Sequence, residues 1–140
     1  MTILPHVVVG GLIGSYTNSV SLAIAGGVAS HLVLDFIPHY DHPIGKDHLR
    51  SFAAFYWWGS NIISVGVLWF LYGVGIPIFV GALSAALVDI ENLVCMFTGY
   101  GLKFHRTGFW HRKTTPLRGF MHETAIVLVG LVWLYLRLTG

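Results

Sequence analysis

His31 and Asp35 stand four residues apart in the apolar run Val20 to Pro38, so a helix there presents both on one face. An imidazole and a carboxylate so placed can hold a divalent metal, move a proton, or bond to one another. His39 extends the row by four more, and Pro38-His39-Tyr40-Asp41-His42-Pro43 gathers three further donors between two prolines. Asp89 and Glu91 form another acidic pair inside the run Ile76 to Thr98. His122 and Glu123 lie at the start of the run Gly119 to Leu136, and His6 at the start of the run Ile3 to Ser15.

These groups are conspicuous because the chain is so apolar. Of 140 residues 55% are hydrophobic and 10% charged, mean hydropathy is +0.71, and eight histidines face six acids. Soluble domains carry roughly 25% charged residues. The composition therefore excludes a disordered chain and argues for one integral membrane domain over 1–140. Four of the six acids (Asp35, Asp89, Glu91, Glu123) fall within apolar runs, where an ionisable side chain marks a functional site by default. One cysteine, Cys95, excludes an internal disulfide and a CxxC motif. A net charge of +2 is too small to argue for nucleic acid. A mixed imidazole and carboxylate set without thiolate suits zinc first, with manganese or iron as alternatives. Magnesium and calcium prefer all-oxygen sites.

The elements that position these residues follow from the runs. Ile3 to Ser15 is short against the ~20 residues of a full span. Tyr16-Thr17-Asn18-Ser19 reads as a polar turn. Four longer runs follow: Val20 to Pro38, Phe52 to Val74, Ile76 to Thr98, and Gly119 to Leu136. The expectation is all-α: a polytopic membrane bundle of four long helices plus a short N-terminal apolar helix. No Lys or Arg precedes Lys46, which argues against a secretory signal. Small residues recur at four-residue spacing (Gly10 and Gly14, Ala23 and Gly27, Gly26 and Ser30, Gly81 and Ala85), which allows close helix packing and gives an oligomer faces to use.

Lys and Arg collect in 39–51 (Lys46, Arg50) and 100–118 (Lys103, Arg106, Arg112, Lys113, Arg118), while 73–75 has none. By the positive-inside rule both basic loops face the cytoplasm. His31, Asp35, Asp89, His122 and His6 then converge on the cytoplasmic end of the bundle. His31, Asp35, Asp89 and His122 are the expected core ligands, with His6 and His39 next. His42, His48, His105 and His111 belong to polar loops, with surface contact as their default. The stretches Gly27 to Asp35 and Gly81 to Asp89 echo each other, each with an Asp eight residues after a Gly. Two-fold packing of these helices would bring both Asp residues to one metal.

Ser30-His31-Leu32-Val33-Leu34-Asp35-Phe36-Ile37-Pro38-His39-Tyr40-Asp41-His42-Pro43 resembles the signature of small bacterial and archaeal membrane proteins described as membrane-bound metal-dependent hydrolases, some of them regulated by the SOS repressor. Arg118-Gly119-Phe120-Met121-His122-Glu123 resembles that group's Arg-Gly-x-Thr-His-Ser motif, with Met121 and Glu123 in place of Thr and Ser. Pro5-His6 followed by Gly10-Gly11 is similar to the start of short members. The group's Pro-Asp-x-Asp motif corresponds either to Pro38–Asp41 or to Val88–Glu91. The resemblance implies a reaction class, hydrolysis, and no substrate.

The resulting expectation is a metal-dependent hydrolase at the cytoplasmic membrane face, acting on a lipid or isoprenoid phosphate ester. Asp41 or Glu123 would serve as general base, and Arg106, Arg112 and Arg118 would hold an anionic headgroup. The alternatives are a metal-ion or proton transporter, which needs a polar path across the membrane, and a non-catalytic scaffold stapled by its polar cluster.

Overall fold

The computed structural model describes residues 1–40, 52–90, 94, 112 and 114–140. Asp41, His42, His48, Glu91, Arg106, His105 and His111 lie outside the described residues. The described residues are all-α, in the order α1 (Ile3–Gly14), α2 (Val20–Asp35), α3 (Phe52–Val74), α4 (Ile76–Leu87) and α5 (Pro116–Thr139).

Local chemistry sets these boundaries. Ser19 caps α2 by accepting the Leu22 amide at 3.4 Å. Pro38 cannot donate, so α2 closes through Phe36 N–H to Val33 O and Ile37 N–H to Leu34 O. Pro77 and Pro116 sit in the first turns of α4 and α5, where a missing amide costs nothing. Thr2 occupies the cap position of α1 without capping it, and its hydroxyl donates to Glu123 Oε2.

The lengths divide the helices into two kinds. α3 and α5, with 23 and 24 residues, contain stretches long and apolar enough to cross a membrane. α1 and α4 have 12 residues each and α2 has 16, so they rise only about 18–24 Å. The expected four long helices are thus two among the described residues. The fourth apolar run is helical over Ile76–Leu87, turns at Val88 and Asp89, and is helical again at Ile90 and Val94.

The short helices form the centre. α1 packs against α2 and α4, and α3 and α5 lie against α1 from outside. Glycine makes the central approach feasible. A Cβ on Gly10 would meet Gly81 O at 2.5 Å, and one on Gly81 would meet Gly10 O at 2.5 Å. Gly27 lies equally close to Gly81 O and Ser84, and Gly14 to Pro77. These small residues are thus spent inside the chain. Val7, Leu12, Leu71, Ala82 and Leu134 fill the apolar core.

Contacts at both ends fix the direction of each helix. Thr2 bonds to Glu123, His6 faces Asp35 and Asp89, and Tyr56 meets Phe120 with ring centroids 4.4 Å apart. So α1, α3 and α5 begin at one end, and α2 and α4 finish there. At the other end Trp133 donates to the Tyr16 hydroxyl at 2.8 Å, and Arg137 lies 5.1 Å above the Tyr16 ring.

Candidate metal centre

Two helix ends and one helix start deliver the site. The i,i+4 spacing of α2 turns His31 and Asp35 inward together, Asp89 follows α4 by two residues, and α1 contributes His6 from its first turn. All four are buried: His6 and His31 are 0% exposed, Asp35 3% and Asp89 6%.

The four side chains interlock. His31 Nε2 lies 3.1 Å from Asp35 Oδ2 and 4.0 Å from Asp89 Oδ1. His6 Nε2 lies 3.5 Å from Asp35 Oδ1 and 3.9 Å from Asp89 Oδ2. Each carboxylate therefore addresses both imidazoles. The imidazole rings stack with centroids 3.8 Å apart and planes 20° from parallel. His6, His31 and Asp89 each offer a ligand atom within 4.8 Å of the other two, and so could hold a metal ion. Ligands at ~2.0–2.2 Å around a tetrahedral ion stand about 3.4 Å from one another. The four His–Asp separations, 3.1–4.0 Å, lie around that value.

Proton placement sharpens the case. His31 Nδ1 is 2.7 Å from the carbonyl of Ala85, which can only accept, so Nδ1 carries a hydrogen. The 3.1 Å contact of His31 Nε2 with Asp35 Oδ2 then takes a proton on one of the two, or a metal cation between them. His6 is fully buried, yet neither of its nitrogens has a hydrogen-bond partner. Protonating both imidazoles would stack two cations 3.8 Å apart, a repulsion of about 4 kcal/mol at an effective dielectric of 20. One divalent cation balances two carboxylates and satisfies both lone pairs at once. The carbonyl bond at Nδ1 is the outer-shell contact that commonly fixes the tautomer of a metal-binding imidazole.

The other expected site residues are arranged around this group. His122 stands outside the three-residue ligand set; its Nδ1 donates to Pro38 O at 2.7 Å. His39, 1% exposed, donates Nδ1–H to Ile37 O at 2.9 Å. Its backbone pairs with Arg112 O and Thr114 N, and Gly119 packs on the Tyr40 backbone. His39 and His122 thus tie the exit of α2 to the entrance of α5. Arg112 and Arg118 are exposed at this same end. Glu123 is fully buried; its Oε2 accepts the Thr2 hydroxyl at 2.6 Å and the Thr2 amide at 3.2 Å, while Oε1 has no partner. Sequence spacing ranked His6 behind His122. The signal in its favour is the Gly10-to-Gly14 spacing on the same helix, which sets α1 against α4 and carries His6 to Asp89.

Compared with family models, curated proteins and solved structures, the chain has no match. The reading of the site rests on its own geometry.

Proposed function

We propose that the chain is a membrane-embedded metal-dependent hydrolase working at one face of a bacterial or archaeal cytoplasmic membrane. The observation that carries it is the stacked, buried His6–His31 pair with both Nε2 atoms turned to Asp35 and Asp89, a donor set that could hold a divalent cation. Zinc fits the donors first, then manganese or iron. A bound divalent ion lowers the pKa of a coordinated water toward neutrality and polarises the scissile group.

The chain's own residues have distinct parts in this reading. His6, His31, Asp35 and Asp89 hold the ion. Glu123, pinned at Oε2 by Thr2, keeps Oε1 free to receive a proton. Arg112 and Arg118 at the same end hold an anionic headgroup, and Arg106 and Asp41 belong to the proposal on sequence grounds alone. A lipid or isoprenoid phosphate ester is the favoured substrate class, because its ester lies at the membrane surface while its tail meets apolar side chains. Membrane residence is supported by the two span-length helices, whose outward residues include Phe55 at 77% and Trp69 at 79% exposure. The apolar core of Val7, Leu12, Leu71, Ala82 and Leu134 beyond the site disfavours a transport path.

Metal analysis of purified protein, followed by a screen against lipid phosphate esters, tests this reading. One equivalent of divalent metal with ester turnover is expected. Ion flux in liposomes without turnover would transfer the reading to a transporter. A metal-free protein that neither hydrolyses nor transports would leave a scaffold.

A further inference from the structure

A groove of about 500 Å³ runs along α5 at the end of the molecule away from the metal centre, lined by Leu128, Val129, Val132, Trp133 and Leu136. Positions three and four apart put these side chains on one face of the helix, over a length of about 12 Å. Each of them is more than half exposed. Direct contacts lead from this apolar strip to a cation. Trp133 donates Nε1–H to the Tyr16 hydroxyl at 2.8 Å, and the Arg137 guanidinium lies 5.1 Å above the Tyr16 ring. The three described acids, Asp35, Asp89 and Glu123, belong to the metal end, so Arg137 has no carboxylate partner among the described residues. Tyr16 accepts from Trp133 and keeps its own hydroxyl hydrogen to give. The end of the groove therefore offers guanidinium and phenol donors to an anion, beside a strip that suits hydrocarbon. Trp, Tyr and Arg are also the side chains that favour the membrane–water boundary.

We propose that the groove binds one anionic phospholipid, with an acyl tail along Leu128, Val132 and Leu136 and the phosphate at Arg137 and Tyr16. Charge complementarity selects an anionic headgroup. The lining argues against a second copy of the chain, because helices in lipid close on small residues. The groove is lined by none, and Gly130 in the same stretch is spent on Val8 of α1. Tyr16 follows α1 in the turn before α2, so a bound headgroup bridges that turn to the end of α5. The site is separate from the metal centre and rests only on the membrane residence proposed above.

Native mass spectrometry of the full chain in a non-ionic detergent tests this, with phosphatidylglycerol and phosphatidylcholine of identical tails offered in equal amounts. Retention of phosphatidylglycerol about five-fold over phosphatidylcholine is expected, the increment of one basic residue at an anionic surface. Arg137→Gln should bring that ratio to about one. Val132→Trp fills the groove from an exposed position and should remove a retained lipid of either kind. Glycerol phosphate, a headgroup without tails, should not be retained. Equal retention of the two lipids, a preference that survives Arg137→Gln, or retention untouched by Val132→Trp overturns the site. Retention of glycerol phosphate would make it an ion contact and overturn the part given to the groove. A dimer that Val132→Trp abolishes would assign the face to a second copy instead. Metal content read on the same samples separates the two readings. Lipid retained by a metal-free chain upholds this site while the hydrolase reading fails, and a metal-loaded chain without the lipid preference overturns this site alone.

Discussion

His31 has its Nδ1 hydrogen committed to Ala85 O, so its Nε2 meets Asp35 across a proton or a metal cation. Replacing a ligand should therefore abolish metal retention, whereas replacing a neighbour should not. His31→Ala, His6→Ala and Asp35→Asn are expected to lose the ion by a factor above the ~10–100 typical of outer-shell changes. His122→Ala should keep it and lose only roughly 1 kcal/mol for the bond to Pro38 O. Elemental analysis of the four purified variants checks this, and an empty His122→Ala with full His6→Ala would reverse the assignment. Part of this site could be read from the sequence. The i,i+4 pair of His31 and Asp35 and the echo that ends in Asp35 and Asp89 both point to it. The relative weight of His6 and His122 could not be read, because it depends on how α1 and α5 slide along their neighbours. Glu123 illustrates the same limit: its helix position was plain, but its bond to Thr2 joins residues 121 positions apart.

The two aspartates meet because α2 and α4 cross at glycine. Gly27 lies on Gly81 O, His31 bonds Ala85 O, and Asp35 and Asp89 share two imidazoles, so matching positions of the echoed stretches touch at three successive levels. A side chain at the crossing would part the helices and the ligands with them. Gly81→Ala, whose Cβ would lie 2.5 Å from Gly10 O, should cost about 1–3 kcal/mol and weaken metal binding as well. Gly66→Ala, on α3 with nothing within 4 Å, should be neutral or gain up to ~1 kcal/mol through helix propensity. Unfolding midpoints of the two variants, read beside metal content, separate packing from propensity; equal effects would reject the crossing. The apolar runs made the five helices among the described residues legible, since hydropathy alone marks them. The break in the fourth run was not legible: apolar composition continues through it, whereas the backbone turns at Val88 and Asp89 before Ile90 and Val94, which are helical. Nothing in hydropathy marks the turn that interrupts the helix at Asp89 before Ile90, which is helical again.

The whole molecule has a polar end and an apolar body, and the two long helices relate that polarity to a membrane. α5 starts at the metal centre with Arg118 exposed and Glu123 buried, and finishes where Trp133 and Arg137 meet Tyr16. Aromatic side chains with polar tips favour the membrane–water boundary, and basic residues favour the cytoplasmic side. Arg112 and Arg118 stand at the metal end, against Arg137 alone among the described basic residues at the other. The metal end should therefore face the cytoplasm. Two single-cysteine variants on a Cys95→Ser background test this with a membrane-impermeant thiol reagent. Leu117→Cys lies in the first turn of α5, and Leu117 is 70% exposed. Thr17→Cys lies in the turn between α1 and α2, at the opposite end. Intact cells should label Thr17→Cys and spare Leu117→Cys, and inverted vesicles should do the reverse. Both cysteines labelled from one side would mean that α5 does not cross the bilayer, and the proposed membrane-face hydrolase would lose its support. Opposite labelling with the sides exchanged would keep the span but move the metal centre to the outer face, where its substrate would have to be an outer-leaflet ester.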